Sequence, residues 1–204
     1  MPPEERFVPR FAAEPPQDPL PDGDWSQRLR GEFLAACLAL DTEQEDVGEP
    51  GEIVWYPDRT WHGHTFVPAT ARTPNGYELY GYVAFVAGDG EPRDFHATAD
   101  FTADVAEANP DWTIDVCDEV VGSWRGEEGQ VAAMTLVWGR PLREGGAIVT
   151  AELGRVAVDQ CVLLDGRFTL LAPDDYGGET LEIAVYDRRG SQLARESLYA
   201  EDEG

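Results

Sequence analysis

Few residues in this chain have the types and spacing that chemistry requires. The histidines are His62, His64 and His96, and two of them stand in Trp61-His62-Gly63-His64-Thr65-Phe66. Positions two apart on a strand point to the same face, as a chelating pair must, and His96 falls on another expected strand. Asp94, Asp100, Asp58 or Cys117 could complete a three-nitrogen-plus-one site for zinc or iron. The competing reading is a surface turn with hydrogen-bonded imidazoles. No HExxH helix, double-stranded β-helix metal spacing or finger motif supports the metal.

A second grouping is Asp111-Trp112-Thr113-Ile114-Asp115-Val116-Cys117-Asp118-Glu119. A nucleophilic cysteine needs nearby positive charge, whereas Asp115, Asp118 and Glu119 raise the pKa of Cys117, so packing is its expected role. The same carboxylates could form a general acid/base pair of the glycosidase kind, although so acidic a chain produces such pairs by chance. Nucleophile elbows, phosphate loops and P-loops are absent from the sequence. It also contains no lysine, which removes Schiff-base catalysis and a Walker lysine.

Charge sets the class of partner. Forty Asp and Glu face 15 basic residues, all arginine, for a formal net charge of −25 on 204 residues. Such a field disfavours nucleic acid and anionic bilayers. GC-rich codon usage accounts for Arg over Lys but not for the surplus of carboxylates. High-salt adaptation accounts for the surplus, as does a binding surface; a carboxylate array imitating DNA phosphates is a further reading, although a charge run is ordinarily a solvated face. The segment MPPEERFVPR lacks the apolar core of a signal peptide, and no apolar run reaches the ~20 residues of a membrane span, so the expected compartment is the cytoplasm. Cys37, Cys117 and Cys161 are widely spaced without a CxxC and read as small hydrophobes in a reducing compartment.

The elements that position these residues follow from periodicity. Residues 1–24 hold seven of the 15 prolines and are expected to form a disordered acidic arm. Asp24 is placed to cap a helix over Trp25 to Leu40, with Trp25, Leu29, Phe33 and Cys37 on one stripe widened by Leu34, Leu38 and Leu40. From Ile53 the period drops to two. Asn75-Gly76 marks a hairpin between Thr65–Thr73 and Tyr77–Val86, with Pro68 placing the first strand at an edge or bulge. Further strands are expected at Asp94 to Thr102, Trp112 to Cys117, Val120 to Arg125 and Val131 to Trp138. Asp104 to Pro110 reads as a loop or helical turn. Trp55, Tyr56, Trp61, Phe66, Tyr77, Tyr80, Tyr82 and Phe85 are expected to form a core under the helix, or else an exposed row suited to sugars or a protein partner.

Beyond Gly139, short strands at Ala147–Leu153, Val156–Leu163, Arg167–Leu171, Thr180–Tyr186 and Ser191–Leu198 alternate with tight turns, as in an antiparallel β-sandwich. The run Gly166-Arg167-Phe168-Thr169-Leu170-Leu171 followed by Gly178 to Gly190 resembles the closing strands of bacterial immunoglobulin-like or transthyretin-like sandwich modules. That resemblance covers the last third of the chain and implies an adhesive, spacing or assembly role with no shared catalytic residue. The expectation is a mainly β protein in three parts: the arm at 1–24, a helix plus antiparallel meander at 25–138, and a small sandwich at 139–200. Its expected function is non-enzymatic, through a protein-binding surface that serves a partner or self-assembly as an assembly, adaptor or accessory component, with no cofactor. The alternative is a metal-dependent enzyme at His62, His64 and His96 holding zinc or iron.

The net charge makes a prediction. Screening shortens the Debye length from ~30 Å at 0.01 M to ~3 Å at 1 M, relieving repulsion among carboxylates. The melting temperature at pH 7 should therefore rise with added monovalent salt. A flat or falling value in a salt series would mean that the carboxylates are well separated or already paired.

Overall fold

The computed structural model describes residues 23–42, 45–86, 92–125, 131–176 and 178–199. The expected arm lies outside the described residues as far as residue 22. Helix α1 spans Gly23–Leu38, so Asp24 stands in its first turn and not at the cap. Leu29, Phe33 and Cys37 are buried and Leu34 and Leu40 half-buried against the same core, but Leu38 is 73% exposed. One residue past Cys37 is a rotation of about 100°, which carries Leu38 off the stripe.

The strands begin with β1 (Ile53–Trp55), β2 (Arg59–Trp61), β3 (His64–Arg72), β4 (Glu78–Val86) and β5 (Arg93–Thr102). These form an antiparallel helix-side sheet of order β1-β3-β4-β5, with β2 also paired to β3. After a 3-10 turn at Ala106–Ala108 come β6 (Ile114–Arg125), β7 (Val131–Pro141), β8 (Ile148–Leu153), β9 (Val156–Val162), β10 (Phe168–Asp174), β11 (Leu181–Tyr186) and β12 (Gln192–Ser197). A central sheet runs β10-β7-β6 and an outer sheet β12-β11-β8-β9. The protein is thus mainly β, in antiparallel sheets, with a single α-helix among the described residues.

Alternation along the strands stacks these elements in four layers. Leu29, Phe33 and Cys37 of α1 pack on Val67, Ala69, Leu79 and Val83 of the helix-side sheet. The opposite face of that sheet, with Phe66, Tyr82 and Ala84, meets Met134, Leu136, Trp138 and Leu171 of the central sheet. Val137, Phe168, Leu170 and Ala172 on the other face of the central sheet meet Val149, Ala151, Leu181, Ile183 and Val185 of the outer sheet. The aromatic group is accordingly divided. Phe85 and the half-buried Trp55 and Tyr77 lie on the helix side, whereas Tyr56, Trp61, Phe66, Tyr80 and Tyr82 lie between two sheets.

Three expectations change. Pro68 is not on an edge: β3 pairs with β4 along its whole length and with β2 and β1 on its other side. The β2 ladder ends at Phe66 and the β1 ladder begins at Ala69, so Pro68 falls in the gap, where no donor is asked of it and its carbonyl accepts from Tyr56 N at 3.0 Å. The strands expected at Trp112 to Cys117 and Val120 to Arg125 merge into one strand, β6, which begins only at Ile114 and is interrupted by a bulge between Val120 and Gly122. The boundary expected at 138/139 lies inside β7, and β10 leaves the C-terminal sandwich to pair with β7 from Phe168↔Gly139 to Asp174↔Ala133. That last feature has no local signal, because strand order is a tertiary property.

One polar contact ties the three sheets together. Arg59 on β2, 2% exposed, pairs through Nη2 with Asp159 Oδ2 on β9, and the same oxygen accepts the Leu171 amide of β10 at 2.8 Å. Removing one partner of a buried pair strands the other charge, which typically costs roughly 3–5 kcal/mol. Arg59→Ala should lower unfolding stability by an amount of that order in urea titration. A loss below about 1 kcal/mol, the range of surface pairs, would show that water reaches Asp159.

Candidate functional site

The histidines do not converge. Trp61↔His64 is the last pair of the β2–β3 hairpin, so His62 and Gly63 are its two turn residues, with φ of 52° and 77°. Two consecutive positive φ values define a type I′ turn, which takes glycine readily at its second position. His62 therefore shares no strand face with His64; its ring lies 4.4 Å from that of Trp61. His64 and His96 sit on β3 and β5 with β4 between them, opposite Val86 and Ala84 respectively, so their backbones are more than two strand spacings of ~4.8 Å apart. All three are exposed. Among the described residues no three His, Cys, Asp or Glu side chains gather as a metal requires.

What the fold does bring together lies between the helix-side and central sheets. A cleft of about 280 Å³ is lined by Glu78 and Tyr80 of β4, Thr102 of β5, Asp104 and Trp112 from the connection, and Asp115, Val116, Cys117 and Asp118 of β6. Glu78 and Tyr80 are two apart on one strand and so face the same way, and Glu78 is opposite Thr102 in the ladder. Four carboxylates and two aromatic rings thus share one concavity. Trp112 is 36% exposed at its mouth.

Two arginines sit at one side. Arg72 lies 3.6 Å from Glu78 and also pairs with Glu107, while Arg140 donates from Nε to Asp115 Oδ2 at 3.0 Å and reaches Glu107 at 3.9 Å. Glu107 therefore bridges the two cations that hold Glu78 and Asp115. Asp104 and Asp118 make no ion pair among the described residues.

Burial dominates the titration of these groups. It pushes the Glu78 carboxyl from the ordinary 4.5 to about 6, with repulsion from Asp115 adding and Arg72 and Arg140 opposing. Burial, then Asp174, raises Asp118. Tyr80 is pushed up to about 12 by burial and neighbouring acids, and Cys117 rises well above the usual thiol range for the same reasons. Cys37 and Cys161 are likewise raised by burial, to about 11 and about 12. All three thiols are free, and none is poised as a thiolate nucleophile.

Of the acids singled out from sequence, Asp115 and Asp118 line this cleft. Glu119 lies next to it and accepts from Thr98 Oγ1 at 2.8 Å. Glu78, Thr102 and Asp104 were not anticipated. A usable signal existed for Glu78, an acid in phase with Tyr80 and Tyr82 inside an otherwise apolar strand. Among the described residues no helix is long and apolar enough to cross a membrane. No protein-family model, curated protein or solved structure matches the chain.

The Glu78 shift has a definite consequence for stability. At low pH the carboxyl is neutral in both states; between 4.5 and about 6 the folded chain holds the proton more tightly than the unfolded chain does. Stability from this group is therefore lost as pH rises through that window, and at neutral pH the ionised side chain costs about 2 kcal/mol. Glu78→Gln should be more stable than the parent at pH 7 and lack that part of the slope. Parallel stability–pH curves for the two proteins would show that Glu78 is solvated.

Proposed function

We propose that this protein is a binding component that captures a cationic segment of a protein partner in the cleft between β4, β5 and β6. The observation that carries this reading is the convergence of Glu78, Asp104, Asp115 and Asp118 with Tyr80 and Trp112 in one concavity. Arginine or lysine satisfies both kinds of group, pairing with carboxylates and stacking over aromatic faces. The surrounding charge of −25 steers such a segment toward the site and rejects acidic competitors. The likeness of the C-terminal third to adhesive and assembly modules supports a binding role as well.

A second reading, acid–base hydrolysis, has one observation in its favour. Glu78, its pKa raised to about 6, lies beside Asp115, which is hydrogen-bonded by Arg140. Carboxylates in contrasting environments can serve as general acid and base. Turnover of aryl glycosides that disappears in Glu78→Gln would favour this reading over simple binding.

Anisotropy titration of the full chain with a fluorescent arginine-rich peptide tests the first reading. Affinity should fall steeply between low and molar salt, and Asp115→Asn with Asp118→Asn should weaken binding by about tenfold or more, the scale of one lost charge-assisted contact. Equal affinity for an acidic peptide of the same length would refute it.

A further inference from the structure

β6 is the edge of the central sheet, and among the described residues it pairs only with β7. In an antiparallel ladder every second residue of an edge strand turns its N–H and C=O away from the sheet, leaving a template for another strand. The cleft touches Asp115, Val116, Cys117 and Asp118, four consecutive residues. Their side chains alternate between the two faces, so a cavity that touches all four follows the length of the strand, whose other side is bonded to β7.

The open run has definite limits. At Glu119 the Thr98 hydroxyl of β5 donates to the carboxylate at 2.8 Å, and beyond it the bulge between Val120 and Gly122 breaks the regular repeat. A bulge and charged side chains are the devices that keep edges from pairing indiscriminately. Here the charges also select. A second copy of this chain would bring Asp115, Asp118 and Glu119 against their own like, under a net charge of −25 on each molecule. A basic strand meets no such repulsion.

We propose that the cleft is a strand-addition site: an extended, arginine-bearing segment of a protein partner pairs its backbone with the free edge of β6 at Asp115–Asp118. Alternate side chains of that segment turn toward Glu78, Asp104 and the rings of Tyr80 and Trp112. This rests on the reading of the cleft as a site for cationic protein segments and adds the mode of capture. Backbone pairing supplies affinity and the carboxylates supply choice.

The test uses the full chain and a labelled ten-residue peptide of alternating Arg and Thr, followed by anisotropy at low salt. Two derivatives carry N-methyl groups, one on the Arg amides and one on the Thr amides. Strand addition uses only alternate amides, so one derivative should lose about tenfold or more in affinity while the other binds as the parent does. Equal affinity for both derivatives and the parent would overturn strand addition yet leave a charge-capturing cleft standing. No binding of the parent peptide would overturn both readings. Hydrogen exchange provides the second arm. The segment containing Asp115 to Asp118 should exchange freely on its outward amides in the unliganded full chain and slow when the peptide is added. Full protection before peptide is added would mean that the chain occupies its own edge, and the proposal would fail.

Discussion

The arrangement depends on two paired strands of the central sheet, β7 and β10, that have almost no wet face. Every residue of β10 and the run Met134 to Gly139 of β7 are buried, because the helix-side sheet covers one face and the outer sheet covers the other. A strand in that position must be apolar at odd and even positions alike, so Met134-Thr135-Leu136-Val137-Trp138 reads as a continuous run where an ordinary antiparallel strand would alternate. The two flanking sheets are then free to be half polar, and α1 is needed only to cover the remaining apolar face of the first. Shape complementarity is tight here. A Cβ on Gly122 of β6 would stand 2.6 Å from the Trp61 ring, so the glycine is what admits that indole against β6.

Enclosing a small sheet leaves its edges to be satisfied. On the β10 side the solution is covalent proximity. β9 and β10 are joined by the tight Asp165-Gly166 turn yet belong to different sheets, so β9 stays beside β10, and Asp159 accepts the Leu171 amide. Arg59 then neutralises Asp159 from the helix-side sheet. The outer sheet has a comparable arrangement on its far face, where Arg195 joins Glu152 and Glu182, and Glu152 accepts from Tyr186 at 2.8 Å and Thr150 at 2.7 Å. On the β6 side no strand pairs with the edge among the described residues; Glu196 of β12 accepts the Thr113 amide at 3.1 Å just before β6 begins, and Thr98 and the carboxylates flank the rest. The two edges of one sheet are thus finished differently.

Elements with a local cause were legible in the sequence, and relations between elements were not. Short β-rich runs between turn signals located β3, β4, β5, β7 and the strands after Gly139, Asn75-Gly76 located the first hairpin, and the four-residue spacing of Leu29, Phe33 and Cys37 located the buried face of α1. Strands of three residues such as β1 and β2 give no periodic signal. Nothing near Arg167 announces that β10 will cross to β7. The histidine pair misled because Trp61-His62-Gly63-His64 permits both a strand and a two-residue turn, and glycine at the second turn position decides for the turn. The cleft was half legible: Asp115 and Asp118 stand in an obvious acidic run, but Glu78 becomes their neighbour only when two sheets stack.

That stacking gives the cleft its chemistry. Carboxylates on a solvated face would titrate normally and contribute little beyond solubility. Packed between sheets, Glu78 resists ionisation, with only part of that cost offset by Arg72 and Arg140, and burial raises Asp118 with no cation among the described residues to oppose it. A protein whose 40 acidic residues could be placed elsewhere keeps these against a desolvation penalty, as sites that need an ionised group commonly do. A proton and a bound cation relieve the same repulsion and therefore compete for it. By linkage, a cationic segment seated in the cleft must lower the Glu78 pKa by the same factor by which ionisation of Glu78 tightens the segment. Burial that is a defect in the free protein would thus become, in a complex of the proposed kind, a source of preference for charge.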